Sequence, residues 1–367
     1  MGVIATTHCS KIMLVRLRNG LASAALDPIL TLCRDLGYSV RFLDEGRRLL
    51  ELSGRGDKTH RTRLEDHPDV AEVVDAGDSH ERHARGADRA DTIVRVGEAA
   101  FGGGHASIAA GPCSVEDYES LLELAKGALE LGVPLLRGGV YKPRTSPYSF
   151  QGLGAAGLEM LAAVRAETGI AVVTEVLDPR DVERIAQVVD MIQIGTRSAT
   201  NFPLLTEVGK SGKPVLLKRG FGATVREFQL SAEYILDTGN EKVVLCERGV
   251  RSFDSTTRNL LDVGAVAHLK AATHLPVIVD PSHAAGRADL VAPLARAGMA
   301  AGADGLIVEV HENPATALSD GQQAISLEQL SGVISDSRKI AAMDGRSFSL
   351  TLSKDQKKDL SAKEPIS

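Results

Sequence analysis

From Ile93 onward the chain repeats one pattern eight times: a short apolar run, then an amphipathic stretch with helical spacing. The runs are "SIAAG" (107–111), "PLLRGG" (134–139), "AVVTEV" (171–176), "MIQIG" (191–195), "PVLLKRG" (214–220), "VVLCERG" (243–249), "PVIVDPSH" (276–283) and "GLIVEVH" (305–311). Between them lie segments such as "VEDYESLLELAKGALELG" and "RADLVAPLARAGMAAG", whose apolar residues recur at helical intervals. Runs apolar on both faces, each followed by a helix, predict parallel strands joined by right-handed crossovers. Eight such units in about 240 residues match a (β/α)8 TIM barrel. An open doubly wound sheet is the alternative, and no GxGxxG follows the first strand to support it.

A different rhythm precedes the barrel. "KIMLVRLR" (11–18) alternates, "SAALDPILTLCRDLG" (23–37) has helical spacing, and "YSVRFLDEGRRLLELSG" (38–54) reads as a hairpin turning at Asp44-Glu45-Gly46. A short helix around "RTRLEDHPDV" and a strand "AEVVDAG" complete a split βαβ sandwich, so a small α+β ferredoxin-like domain is expected over 11–77, after a tail at 1–10. The charged stretch 78–91 reads as the exposed part of a linker spanning 78–92, with His80 and His83 solvated rather than bound to metal. "TIVRVGEAAFGGG" suggests a hairpin opening a catalytic unit of 93–342. The polar tail 343–367 is expected to be disordered, apart from first residues able to pair.

The charge balance limits the partners. Net charge is -6, which favours neither nucleic acid nor an acidic membrane, and a chain with 4% aromatics and no Trp offers little for base stacking. No apolar run approaches the roughly 20 residues that cross a bilayer. The start shows no signal peptide, and "MGVIATT" is only a loose myristoylation pattern. Cys9, Cys33, Cys113 and Cys246 contain no close pair, which suits reduced thiols in the cytoplasm.

In a barrel the chemistry sits at the carboxyl ends of the strands. There the chain delivers Cys113, then Arg137, Lys142, Arg144 and Thr145, then Glu175, Arg197, Lys218 with Arg219, and Glu247 with Arg248. The seventh and eighth runs add Asp280, Ser282, His283, Glu309 and His311, with Asp320 shortly after. Arg137, Lys142, Arg144, Arg197, Lys218 and Arg248 would repel one another unless anions occupied the site. The competing reading pairs each with a neighbouring carboxylate such as Glu175 or Glu247. For all six together, two anionic substrates are the expectation, and 135–152 is read as an anion clamp. Cys113, His283, Glu309 and Asp320 form a mixed donor set suited to a borderline divalent ion. Cys113 as a nucleophile with His283 as its base is the rival, but it leaves Glu309 and Asp320 without a task. His311 is expected to support the ligands from behind.

"AGPCSVED", "LLRGGVYKPRTSPYSFQGLG", "IQIGTRSATNF", "VLLKRGF", "LCERG", "VDPSHAAGR", "IVEVH" and "ALSDGQQ" resemble the motifs of the 3-deoxy-arabino-heptulosonate 7-phosphate synthase family. The resemblance covers about 93–342, and the shape of 11–77 resembles the type I-beta branch with a regulatory domain. It implies condensation of phosphoenolpyruvate with erythrose 4-phosphate, releasing phosphate, as the first step of the shikimate pathway. It also implies that Cys113, His283, Glu309 and Asp320 hold one divalent metal (Mn, Fe, Co or Zn), with Lys142 and His283 in the catalytic machinery. Arg137, Lys142, Arg197, Lys218 and Arg248 would bind phosphoenolpyruvate, and Arg144 and Thr145 the sugar phosphate. A homotetramer and feedback by Tyr or Phe through the N-terminal sheet are further implications; the plain alternative is a domain that covers a barrel end or aids assembly. The related octulosonate 8-phosphate synthases are a second reading, although they show Asn-Arg-Ser where this chain has Lys142-Pro143-Arg144-Thr145. A non-catalytic barrel sensing a phosphometabolite is a third, and retention of all four presumed ligands argues against it.

Overall fold

A computed structural model describes residues 11–18, 26–43, 48–54, 58–75, 81–85 and 89–351. The chain divides into two compact units, 1–84 and 85–367.

The first unit runs β1 (Lys11–Leu17), α1 (Leu26–Asp35), β2 (Tyr38–Phe42), β3 (Leu49–Gly54), α2 (Lys58–Glu65) and β4 (Val70–Asp75). Its sheet has the order β2-β3-β1-β4, and β1 lies antiparallel to both neighbours. Alternation along β1 buries Met13, Val15 and Leu17, and α1 adds Ile29 and Cys33 to the same core. That order and pairing make the ferredoxin-like arrangement. The turn expected at residues 44–46 and the position of His80 lie outside the described residues. His83 departs from the exposed reading: it is buried, with Nε2 3.4 Å from Glu81 Oε2. A charged composition forecasts solvation only where no carboxylate stands ready to accompany a ring into the interior.

The second unit opens with a hairpin, β5 (Val94–Val96) and β6 (Ala99–Phe101). Then come β7 (His105–Gly111), α3 (Tyr118–Glu130), β8 (Leu135–Arg137), α4 (Ala155–Thr168), β9 (Ala171–Val176), α5 (Val182–Val188), β10 (Met191–Ile194) and α6 (Phe202–Lys210). They are followed by β11 (Val215–Lys218), α7 (Val225–Leu236), β12 (Val243–Glu247), α8 (Val263–Ala272), β13 (Val277–Val279), α9 (Pro281–Ala285) and α10 (Val291–Ala300). The unit ends with β14 (Gly305–Glu309), α11 (Leu327–Met343) and β15 (Ser347–Phe348). Strands β7 to β14 pair in parallel and in chain order. β14 pairs back onto β7, from Gly305 opposite Ser107 to Glu309 opposite Gly111. That closure excludes an open sheet.

Alternate residues explain both cores. One set, including Ala109, Leu135, Val173, Leu216, Val244 and Ile307, fills the barrel interior with Val94, Val96 and Phe101 of the hairpin. The other set faces the helices. The hairpin meets the amino ends of the strands: Gly97 lies against Ala171 and Gly102 against Pro276. With that end stoppered, the polar groups at the carboxyl ends share the other mouth.

One boundary differs from the sequence reading. The run 276–283 stops being strand at Val279, because Pro281 opens α9 and the Asp280 side chain accepts from the His283 N–H at 2.9 Å. The first residues of the tail pair, as their sequence allowed: β15 is parallel to β7, and Thr351 N donates to Gly132 O at 2.8 Å. Phe348 and Leu350 pack against the outer core, which accounts for the alternation of "SFSL".

Candidate active site

All six expected cations line one cavity of about 300 Å³ at this mouth, together with Thr145, Glu175, His283 and Asp320. The ligating atoms of Cys113, His283, Glu309 and Asp320 lie within 4.8 Å of one another. Barrel closure brings them together, since Cys113 follows β7 and Glu309 ends β14, the strand paired with it. Gly111 makes the approach possible: a Cβ there would meet Arg137 O at 2.0 Å.

Each donor has a distinct support. His283 Nδ1 is 2.7 Å from Asp280 Oδ2, and its pKa falls to about 4, first through burial, against the opposing pull of Asp280. The ring is therefore neutral, Nδ1 donates to the carboxylate, and Nε2 keeps its lone pair. That lone pair faces Glu309 Oε1 at 3.2 Å. Glu309 is fully buried, and Gln323 Nε2 donates to its Oε2 at 2.5 Å. Oε1 makes no hydrogen bond, although Arg137 Nη1 lies 3.1 Å away. Cys113 Sγ donates to Asp320 Oδ2 at 3.2 Å, and burial, then Glu309, pushes its thiol up to about 12.

Two acceptors facing each other, an orphaned carboxylate oxygen and a thiol held protonated by burial and then by Glu309 are unfavourable alone. A divalent cation reverses each of these, satisfying the lone pairs and stabilising the thiolate. The donor set therefore fits a metal.

Asp320 is the one described non-glycine residue with positive φ, at 51°. Its loop is held by Ser114 Oγ and Ser319 Oγ at 2.6 Å and by Leu318 N, which donates to Glu116 Oε1 at 2.8 Å. Burial works against its charge, but Arg258 and His283 hold the carboxyl below the ordinary range. His311 does not back Glu309. The chain bridges Val310 to Ile325 there, and His311 Nε2 faces Glu116 at 3.6 Å.

The cations divide into two groups. Arg137 pairs with Glu309, Lys218 with Asp280 at 2.5 Å, and Arg144 with Asp320 at 3.6 Å. Lys142 Nζ donates to Cys113 Sγ at 2.9 Å and to Cys113 O at 3.1 Å. The carboxylates suggested by the sequence are engaged elsewhere: Glu247 holds Arg219 at 2.8 Å, and Glu175 accepts from Gln193 Nε2 at 3.1 Å. Arg197 and Arg248 stand in no ion pair among the described residues. Arg197 Nη2 is 3.4 Å from Thr145 Oγ1. Arg248 is buried, its Nε makes no hydrogen bond, and Nη1 reaches only Gly249 O at 3.4 Å.

Sequence reasoning placed Asp280 at the mouth without giving it a role, and it missed Arg258 and Phe221. Asp280 had a usable signal, since Asp-Pro-x-His reads as an N-cap and first turn that fixes the histidine. Arg258, whose Nη1 donates to Asp320 Oδ1 at 3.1 Å and to Gln323 Oε1 at 2.9 Å, sits in an irregular loop without periodicity. Phe221 follows Gly220 and looks like an ordinary core aromatic.

The DAHP synthetase I family matches over residues 87–342. The chain is 53% identical over 251 residues to a phospho-2-dehydro-3-deoxyheptonate aldolase of Thermotoga maritima, covering 68% of this chain and 74% of that protein. Identity to a 2-dehydro-3-deoxyphosphooctonate aldolase of Syntrophotalea carbinolica is 33% over 272 residues, covering 69% of this chain and 97% of that protein. Among solved structures, the DAHP synthase of Thermotoga maritima aligns with a TM-score of 0.74 at 42% identity, covering 92% of this chain and 99% of that one. The octulosonate relative is the more distant of the two kinds. The chain belongs to the DAHP synthetase I family and is an enzyme of its aldol-type transferase kind.

Proposed function

We propose that the protein condenses phosphoenolpyruvate with erythrose 4-phosphate at a metal-dependent site, giving 3-deoxy-D-arabino-heptulosonate 7-phosphate and phosphate. This reaction is the first step of the shikimate route to aromatic amino acids. One observation carries the reading: six cations, three of them without a carboxylate partner among the described residues, converge above a Cys/His/Glu/Asp quartet. Two phosphorylated guests need that surplus of positive charge.

Cys113, His283, Glu309 and Asp320 would hold the ion, drawn from Mn, Fe, Co or Zn. A divalent ion bound there supplies Lewis acidity toward the aldehyde oxygen. Arg197, Arg248 and Lys218, with Arg137 and Lys142, grip the phosphate and carboxylate of phosphoenolpyruvate, and Arg144 with Thr145 receives the sugar phosphate. Holding both reactants in register removes much of the entropic barrier. As the π pair at carbon 3 attacks the aldehyde carbon, the aldehyde oxygen gains charge, and Lys142 Nζ delivers a proton to it. Water then adds at the electron-poor carbon 2 and loses a proton, and phosphate leaves with the C–O electron pair.

The first unit has a self-contained core, and the aligned Thermotoga structure extends over 92% of the chain, well past the barrel. Both features support a separate role for residues 11–77, which we read as regulation; Tyr or Phe as the effector and a homotetramer as the assembly rest on the family resemblance alone. A ligand thiolate at Cys113 suits the reducing cytoplasm; among the described residues, no helix is long and apolar enough to cross a membrane.

Phosphate release tests both proposals in one assay. With metal present, erythrose 4-phosphate is expected to support turnover at least about a hundredfold faster than arabinose 5-phosphate, the scale on which a polar site rejects a misfitting substrate. Tyr or Phe is expected to inhibit the full chain and to lose its effect when residues 1–77 are removed. Preference for the longer sugar would sink the assignment of the reaction, and unchanged inhibition after truncation would sink the regulatory one.

A further inference from the structure

The basic side chains at the mouth are stabilised in two different ways. Arg137, Arg144, Lys218 and Arg258 each face a carboxylate. Among the described residues Arg197 and Arg248 do not, and neither does Arg251, which borders the adjoining groove of about 770 Å³. These three guanidiniums converge on one ring instead. The centroid of Phe221 lies 5.3 Å from Arg197 Cζ, 4.9 Å from Arg248 Cζ and 5.0 Å from Arg251 Cζ. The backbone is secured at the same point, where Arg251 N donates to Phe221 O at 2.8 Å.

We propose that Phe221 is a positioning residue for phosphoenolpyruvate, gathering Arg197, Arg248 and Arg251 around its ring so that they meet the substrate as a preformed set. The proposal rests on the reading of this cavity as the phosphoenolpyruvate site. Three like charges so close together need an attractive partner, and a buried guanidinium such as Arg248 needs one most. A carboxylate would provide it, but it would also occupy N–H donors and neutralise charge that the arriving phosphate requires. The electron-rich face of an aromatic ring attracts guanidinium without accepting its conventional hydrogen bonds, so the donor forks stay available. Arg251 is exposed, as Arg197 is, and only Arg248 is buried. Arg251 continues the row of unpaired charge from buried Arg248 toward solvent, where a field of one sign draws in an anion.

The test compares Phe221→Leu, Phe221→Met and Phe221→Tyr with Arg248→Ala in the full-length, metal-loaded enzyme. Leu and Met keep an apolar side chain but remove the ring; Tyr keeps the ring. For Leu and Met, KM for phosphoenolpyruvate is expected to rise about tenfold, with kcat within about threefold, as loss of cation–π contacts that preorganise binding implies. Tyr is expected to restore KM to within about twofold. Equilibrium binding of phosphoenolpyruvate should follow the same order, and KM for erythrose 4-phosphate should move less. An unchanged phosphoenolpyruvate KM in the Leu and Met variants, beside a raised one in Arg248→Ala, would overturn the role of the ring and leave the site reading intact. Equal impairment by Tyr, Leu and Met would also overturn it, because shape rather than the ring would then be responsible. No effect from Arg248→Ala would overturn both readings together.

Discussion

Replacing His283 by alanine is expected to lower kcat by roughly a thousandfold or more and to leave the purified protein depleted of metal. The expectation follows from how completely the ring is committed. Its Nδ1 lies 2.7 Å from buried Asp280, which selects the tautomer whose Nε2 lone pair points at Glu309 Oε1 and the other donors. Alanine removes one of the four proposed ligands and takes from Asp280 the ring N–H that it accepts. A milder variant separates orientation from ligation. Asp280→Asn keeps the imidazole but weakens its support, and metal affinity should drop by about 10–100-fold. Metal content and kcat measured together check both values. Full metal occupancy in His283→Ala would remove the residue from the ligand set.

Lys142→Gln is expected to lower kcat by about a hundredfold to ten-thousandfold, with binding of phosphoenolpyruvate weakened far less. Nζ sits 2.9 Å from Cys113 Sγ and so stands beside the donor quartet, where the proposed reaction brings the aldehyde oxygen. Burial alone would pull its ammonium down, but Cys113 as the thiolate, and then Glu309, more than compensate, and its pKa is raised. Glutamine keeps a hydrogen-bond donor in place and removes the proton that can be transferred. Single-turnover rates beside equilibrium binding distinguish the two effects. A variant that loses affinity while keeping its single-turnover rate would make Lys142 a binding group only.

The barrel was legible because its strands are buried on both faces, so each reads as an uninterrupted apolar run between helical stretches. Ranking polar residues by their distance past each run was enough to collect Cys113, Arg137, Lys142, Lys218, His283 and Glu309 at one mouth. What remained hidden depends on partners distant in sequence. Nothing in "VLLKRG" indicates that Lys218 lies against Asp280, 62 residues later, rather than against Glu175 or Glu247. Arg258 and Asp320 meet only because two irregular loops converge, and loops carry no periodicity to read. His283 looked like the end of a strand, although Pro281 already marked a helix start. His83 shows the same limit in reverse, since a polar segment is buried beside a neighbour that composition does not record.

Metal dependence is the point on which the chemistry turns, and one titration addresses it directly. Full-length protein is stripped with a chelator, its residual metal measured, and Mn, Fe, Co or Zn added stepwise while phosphoenolpyruvate consumption with erythrose 4-phosphate is followed. The expected result is loss of turnover on stripping and recovery that saturates near one ion per chain. Undiminished turnover in protein verified to be metal-free would contradict the proposed site.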